Sequence, residues 1–142
     1  MKSINPYLNF SGNAEKAFDF YKSVFGGEFL FLQRFKEMPD AAKIPASEQE
    51  KIMHISLPIG KGNILMGSDA SESMDYSLNV GNNFYLSLST ESEEEATQLF
   101  NKLSEGGKVQ MEMQKTFWGS FFGMLTDKFD VQWMVSYEYN QQ

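Results

Sequence analysis

PYLNFSGNAEKAFDFYKSVFGGE, residues Pro6–Glu28, decides the fold. Leading through its start, Ile4, Pro6, Leu8 and Phe10 fall on one side of an extended chain, and Asn5, Tyr7 and Asn9 on the other. Period two predicts a strand from Ile4 to Phe10, with Pro6 limiting hydrogen bonding on one side. Ser11-Gly12-Asn13 breaks the period, and Asn13 or Ser11 is placed to cap a helix. Ala14, Ala17, Phe18, Tyr21, Val24 and Phe25 then recur at helical spacing, with Glu15, Lys16, Asp19 and Lys22 largely opposite. Gly26-Gly27 ends the helix, since glycine takes a positive φ at little cost.

Working outward, Glu28 to Lys36 reads as a second strand. Glu37 to Glu50 carries two prolines and no clean period, so it is expected as a long loop with room for a short helical turn. Such loops either cover functional sites or are plain surface insertions. Lys51 to Ile59 alternates again, with Met53, Ile55, Leu57 and Ile59 on one face and Ile52, His54 and Ser56 on the other. Gly60-Lys61-Gly62 makes a hairpin turn into a strand at Asn63 to Ser68.

The order then starts over. Phe84, Leu86 and Leu88 alternate with Tyr85, Ser87 and Ser89, and Thr90 with Glu93 has the form of a capping box. Ala96, Leu99, Phe100 and Leu103 form a helical stripe that Gly106-Gly107 terminates. Three further strands are expected at Lys108 to Lys115, about Phe121 to Thr126, and Val131 to Tyr137. An offset of 80 residues carries Gly26-Gly27 onto Gly106-Gly107, Leu8 onto Leu88 and Phe20 onto Phe100.

One helix on one face of a small sheet leaves the other face open in each half, so the halves are expected to combine. The expected fold is α+β: paired βαβββ modules forming a curved eight-stranded mixed sheet, with helices on the convex side. Module one runs from about 3 to 69, a linker from about 70 to 82, and module two from about 83 to 139, all within a single domain of 142 residues. The concave side would be a cleft towards which Asn5, Tyr7, Asn9, His54, Ser56, Tyr85 and Ser87 point. A polar strand face is equally expected if it is merely solvated.

Composition narrows the function. With no cysteine, thiolate nucleophiles, disulfides and cysteine metal sites are excluded, and a reducing cytoplasm is the expected location. The net charge of -7, with lysines and arginines scattered, offers no stripe for phosphates, so neither nucleic acid nor an anionic membrane is an expected partner. MKSINPYLNF lacks the apolar region of a secretory signal, and no stretch has the length of a membrane span.

The stretches at Pro6–Glu28, at Met53–Asp69 (MHISLPIGKGNILMGSD) and at Lys115–Ser136 (KTFWGSFFGMLTDKFDVQWMVS) resemble the vicinal oxygen chelate superfamily of glyoxalases, extradiol dioxygenases and bleomycin-resistance proteins. Within it they are most similar to the PhnB-like branch. The resemblance implies paired βαβββ modules and a homodimer. Metal-using members place four ligands, usually His, Glu or Gln, on the cavity side of four strands, and by register those positions fall near Asn5, Met66, Asn83 and Met134. Asparagine offers no charge and methionine a soft thioether, so no metal and no other cofactor is expected here. Some relatives carry a ubiquinone-pathway methyltransferase label, but no glycine-rich turn after a strand supports a nucleotide cofactor.

The expected function is therefore binding of a small apolar or aromatic molecule in the sheet cleft by Asn5, Tyr7, Asn9, His54, Met66, Tyr85, Trp118 and Met134. Each has a structural alternative. His54, the single histidine, is either a general base or polar anchor, or a hydrogen bonder to a neighbouring strand. Trp118, in the Phe117-Trp118-Gly119 segment, either walls the pocket or plugs the core. Met66 and Met134 either soften the cleft or pack the modules together. The alternatives for the whole protein are an enzyme of the lyase, isomerase or dioxygenase type using His54, with a weak metal site involving Glu138, and a structural protein whose cleft is filled.

Overall fold

The computed structural model describes residues 1–71 and 77–139. Chain contacts divide it into two compact units, Met1–Asn79 and Val80–Gln142. The middle of the expected linker, 72–76, lies outside the described residues.

The first unit contains β1 (Tyr7–Phe10), α1 (Ala14–Phe25), β2 (Phe31–Arg34), β3 (Ile52–Ile59) and β4 (Asn63–Asp69). The second repeats the order with β5 (Leu86–Ser89), α2 (Glu93–Ser104), β6 (Lys108–Lys115), β7 (Ser120–Thr126) and β8 (Gln132–Glu138). The strands divide into two four-stranded sheets, ordered β1-β4-β3-β2 and β5-β8-β7-β6. In each, the first strand pairs parallel with the last and the other pairings are antiparallel. The expected mixed βαβββ modules are therefore present, as two sheets of four.

Each sheet packs one face on its own helix. In the first unit Leu8, Phe10, Ile55, Leu57 and Leu65 are buried with Ala14, Ala17, Phe18, Tyr21 and Val24 of α1. The helix approaches so closely that a Cβ on Gly67 would lie 2.7 Å from Phe18 Cε1 and 2.8 Å from the Leu8 carbonyl oxygen. The second unit repeats the device: a Cβ on Gly123 would lie 2.6 Å from Met113 Sδ and 2.8 Å from Phe100 Cε2. Burial also refines the repeat. Ala17, Tyr21 and Val24 correspond to Ala96, Phe100 and Leu103, one residue out of step with the strands, so Tyr21 rather than the half-buried Phe20 is the counterpart of Phe100.

The helix caps differ from expectation. Asn13 occupies the N-cap of α1 without a side-chain bond. Its place is taken by buried Asp69, whose Oδ1 accepts the N–H of Gly12 (3.0 Å) and of Ala14 (2.9 Å), while Oδ2 accepts that of Ile52 (2.8 Å). The cap of α2 is Ser92, not Thr90: Ser92 Oγ accepts the Glu95 N–H at 3.0 Å, and Glu95 Oε1 accepts the Glu91 N–H at 2.9 Å. Thr90 is buried and donates to the Ser136 carbonyl instead, at 2.9 Å.

Three strands start later or end sooner than the alternation predicts. Tyr7 rather than Ile4 begins β1, because Pro6 has no N–H to give, although its carbonyl accepts from Met66 at 3.1 Å. Leu86 rather than Phe84 begins β5, and β2 stops at Arg34, where Phe35–Glu37 turns into a 3₁₀ segment. The loop at 37–50 continues with 3₁₀ turns at Ala41–Lys43 and Ala46–Glu48. It is fastened down: Gln49 Nε2 donates to the carbonyls of Ala41 and Ile44, and Ser71 Oγ donates to buried Glu48 at 2.9 Å. Arg34 grips Glu15 of α1 through two bonds of 3.0 and 2.7 Å and the Glu50 carbonyl through a third of 2.9 Å. The guanidinium beside Glu15 holds its carboxyl below the usual carboxylate range.

Candidate functional site

Because side chains alternate along a strand, the face of each sheet away from its helix can be read from the ladder. In the first unit one cross-sheet row runs Phe31, Ser56, Met66, Tyr7. Two residues along, Gln33 pairs with His54, and Asn9 pairs with Ser68. These rows bring Tyr7, His54 and Phe31 together. Tyr7 Oη lies 3.1 Å from His54 Nδ1, their rings stack at 5.5 Å with 29° between planes, and the Phe31 ring sits 5.4 Å from the imidazole. Tyr7 and Phe31 are 44% and 46% exposed, so this aromatic triad presents surface rather than core.

Phe31 was not among the residues expected at the site. Its signal was available: in Glu28 to Lys36, Phe31 and Gln33 share a face, and pairing with β3 puts that face beside His54.

Asn5 and Asn9 each engage a side-chain oxygen in the sheet. Asn5 Oδ1 accepts the Ile64 N–H at 3.1 Å, extending the ladder past Pro6, and Asn9 Oδ1 accepts from Ser68 Oγ at 3.3 Å. Met66 is half-buried in the aromatic row.

In the second unit the corresponding row is Ser87, Met134, Met124, Met111. Met134 was expected there; Met124 joins it through the unbroken β7–β8 register, and Met111 through the irregularity in β6 between Val109 and Met111, which shifts the register that simple alternation assumes. One step along the strands, Thr126 pairs with both Gln132 and Lys108. These polar residues line a cavity of about 560 Å³ at the turn end of the unit. Tyr85 donates to Gln110 Oε1 at 2.5 Å, and Gln110 Nε2 donates to Thr126 Oγ1 at 2.8 Å, so Tyr85 meets the cavity through Gln110 rather than lining it.

Trp118 is 55% exposed and does not plug the core. It stands with Phe117, 97% exposed, at the tip of the β6–β7 hairpin, with rings 5.1 Å apart; Phe122 meets Trp118 edge-on at 5.8 Å. The tip is held by bonds between Thr116 and Ser120, and Gly119 takes a φ of 92°.

The positions that correspond to the superfamily's metal ligands carry poor donors. Asn5 has its carbonyl oxygen engaged by Ile64, Met66 and Met134 offer thioethers, and Asn83 precedes β5 in an exposed segment. Among the described residues no group of three or more His, Asp or Glu side chains comes together in a way that could hold a metal ion. The donor set does not fit the metal of the superfamily's metal enzymes.

Two βαβββ units with these far faces define a protein of the glyoxalase/bleomycin-resistance superfamily, PhnB-like branch. A family model described as 3-demethylubiquinone-9 3-methyltransferase matches residues 2–136, and the chain belongs to that family. It is 36% identical over 141 residues to protein YjdN of Escherichia coli, covering 94% of this chain and 93% of YjdN. Protein PA1353 of Pseudomonas aeruginosa has a similar structure, with a TM-score of 0.85 and 40% identity over 97% of this chain and 98% of its own. A PhnB protein from Bacillus cereus superposes with a TM-score of 0.76 at 26% identity, covering 96% of this chain and 99% of its own. No helix among the described residues is long and apolar enough to cross a membrane.

Proposed function

We propose that the chain binds a small apolar or aromatic molecule on the far face of its first sheet. The single observation that carries this is the half-exposed triad of Tyr7, His54 and Phe31, held by the Tyr7–His54 hydrogen bond. Aromatic rings offer large contact area and edge or face stacking at low entropic cost, and Met66 in the same row supplies an adaptable thioether. His54 Nδ1 is turned to Tyr7, and Nε2 takes no hydrogen bond from the described residues. It serves as the polar anchor for a ligand hydroxyl or carbonyl.

A second reading, acid–base catalysis, is favoured by the same contact. The Tyr7 phenol either donates to Nδ1, which puts the ring proton on Nε2, or accepts from Nδ1–H, which leaves Nε2 as an acceptor. The other nitrogen can then exchange a proton with a bound molecule.

A homodimer and a cytoplasmic location belong to the same proposal. The first is supported by β2 and β6, each the last strand of its sheet. The second is supported by the lack of cysteine.

Nile red fluorescence tests the binding proposal. The expected result is a saturable enhancement with the wild-type protein that falls by at least about ten-fold in affinity on Phe31→Ala. Absence of saturable enhancement contradicts it.

A further inference from the structure

We propose that the second unit recognises an amphipathic organic acid, its apolar or aromatic body over Met111, Met124 and Met134 and its carboxylate in the adjoining polar cavity. It rests on the proposed function only in the premise that a far sheet face takes a small molecule. The geometry sets the division. Met124 and Thr126 are two residues apart on β7, and Met134 and Gln132 are two apart on β8. Each pair therefore places an apolar and a polar side chain on one face, separated by about 7 Å along the strand. The three methionines lie in consecutive positions across the sheet and are half-buried. They form a soft, polarizable strip that accepts a flat ring. At about 560 Å³, the cavity is within the size range of small-molecule sites.

The hydrogen-bond inventory of the cavity sets the charge of the ligand's end group. Gln110 is held in one orientation by Tyr85 and Thr126, which leaves the second N–H of its amide for a ligand. Thr126 Oγ1 accepts from Gln110, so its own O–H remains as a donor. Lys108 adds an ammonium donor on the rim. The acidic residues are unequal: Asp127 is buried and turned inward, accepting from Trp133 Nε1 at 2.8 Å and from the N–H groups of Phe129 and Val131. Asp130 is the exposed acid of the rim. The Gln110 N–H, the Thr126 O–H and the Lys108 ammonium together match the two oxygens of a carboxylate. Gln132 gives its amide N–H to the Phe84 carbonyl at 2.7 Å and keeps its carbonyl oxygen for a ligand hydroxyl or N–H beside the acid.

Titration of the full chain with 2-naphthoate, followed by amide and methionine-methyl NMR shifts, tests this. Saturable shifts are expected at Gln110, Thr126 and the methyls of Met111, Met124 and Met134. The uncharged 2-naphthamide and the ring-free gluconate should bind at least about ten-fold more weakly, and Lys108→Gln should weaken naphthoate about five-fold while leaving naphthamide unchanged. Equal affinities for naphthoate and naphthamide read at Gln110, Thr126 and the three methionines, an unchanged naphthoate affinity there in Lys108→Gln, or shifts confined to other residues overturns the proposal. The Phe31-dependent part of Nile red binding, measured separately on the wild type and Phe31→Ala, separates the two sites. Its retention with naphthoate failing defeats this inference alone, and its loss with naphthoate binding intact defeats only the first-unit proposal.

Discussion

Tyr7 Oη and His54 Nδ1, 47 positions apart in sequence, lie 3.1 Å from each other on the face of the first sheet away from its helix. The contact joins the first strand to the third across β4, and it fixes the one imidazole of the protein among aromatic rings. Tyr7→Phe removes the hydroxyl and keeps the ring. The expected outcome is a changed Nδ1–H to Nε2–H tautomer ratio at His54 by ¹⁵N NMR. The stability change should stay within about 1 kcal/mol, as for one net hydrogen bond near solvent.

Asp69 holds three backbone N–H groups from three segments, the turn before α1, the start of α1 and the start of β3. Asp69→Ala leaves those donors without their acceptor and should cost about 3 kcal/mol or more in urea unfolding. Asp69→Asn keeps one oxygen but presents an amide N–H₂ to the remaining donors, so its loss should be smaller and still measurable.

Gly67 and Gly123 allow each helix to lie against its sheet. Gly67→Ala places a methyl within 2.8 Å of both Phe18 and the Leu8 carbonyl. A destabilisation of about 1–3 kcal/mol is expected from the forced shift. A control at Gly62, whose added Cβ meets nothing within 4 Å but whose φ is 81°, should lose only the smaller backbone term, about 1 kcal/mol.

The Glu15–Arg34 pair gives the protein an acid-sensitive fastening. Arg34 lowers the Glu15 carboxyl through its hydrogen bond, against some desolvation. A carboxyl lowered in the folded state stabilises it above the ordinary value of 4.5, and the stabilisation disappears as pH falls through the depressed value. Glu15 is 46% exposed at its side chain, so solvent screening limits the term to well under about 1 kcal/mol. Glu15→Gln should lower stability by that small amount near neutrality and converge on the wild type in acid, so that the stability profile flattens below about pH 4.5.

Element types were legible because their signals are local. The alternation through Leu8 and Phe10, the stripe from Ala14 to Val24 and the glycines at 26 and 106 each declare a strand, a helix or a stop within a few residues. What the sequence hid is long-range. Asp69 caps a helix more than fifty positions away, so Asn13 looked like the better candidate. Ser92 displaced Thr90 because the Ser136 carbonyl of the parallel neighbour strand claims the threonine hydroxyl. His54, Tyr7 and Met66 could be placed on one strand face from alternation, but their junction with Phe31 depends on which strands become neighbours. The irregularity at Gln110 is likewise invisible to period counting, and it sets both the methionine row and the cavity.

The central claim, that the Tyr7–His54–Phe31 surface receives a small aromatic molecule, is tested most directly by the His54 ring signals during titration with the uncharged probe 2-naphthol. The protein has a single histidine, so those signals are unambiguous. Saturable ring-current shifts of the His54 Cε1–H and Cδ2–H resonances, weakened at least about ten-fold in Phe31→Ala, are predicted. His54 resonances that stay fixed as 2-naphthol reaches millimolar concentration would contradict it.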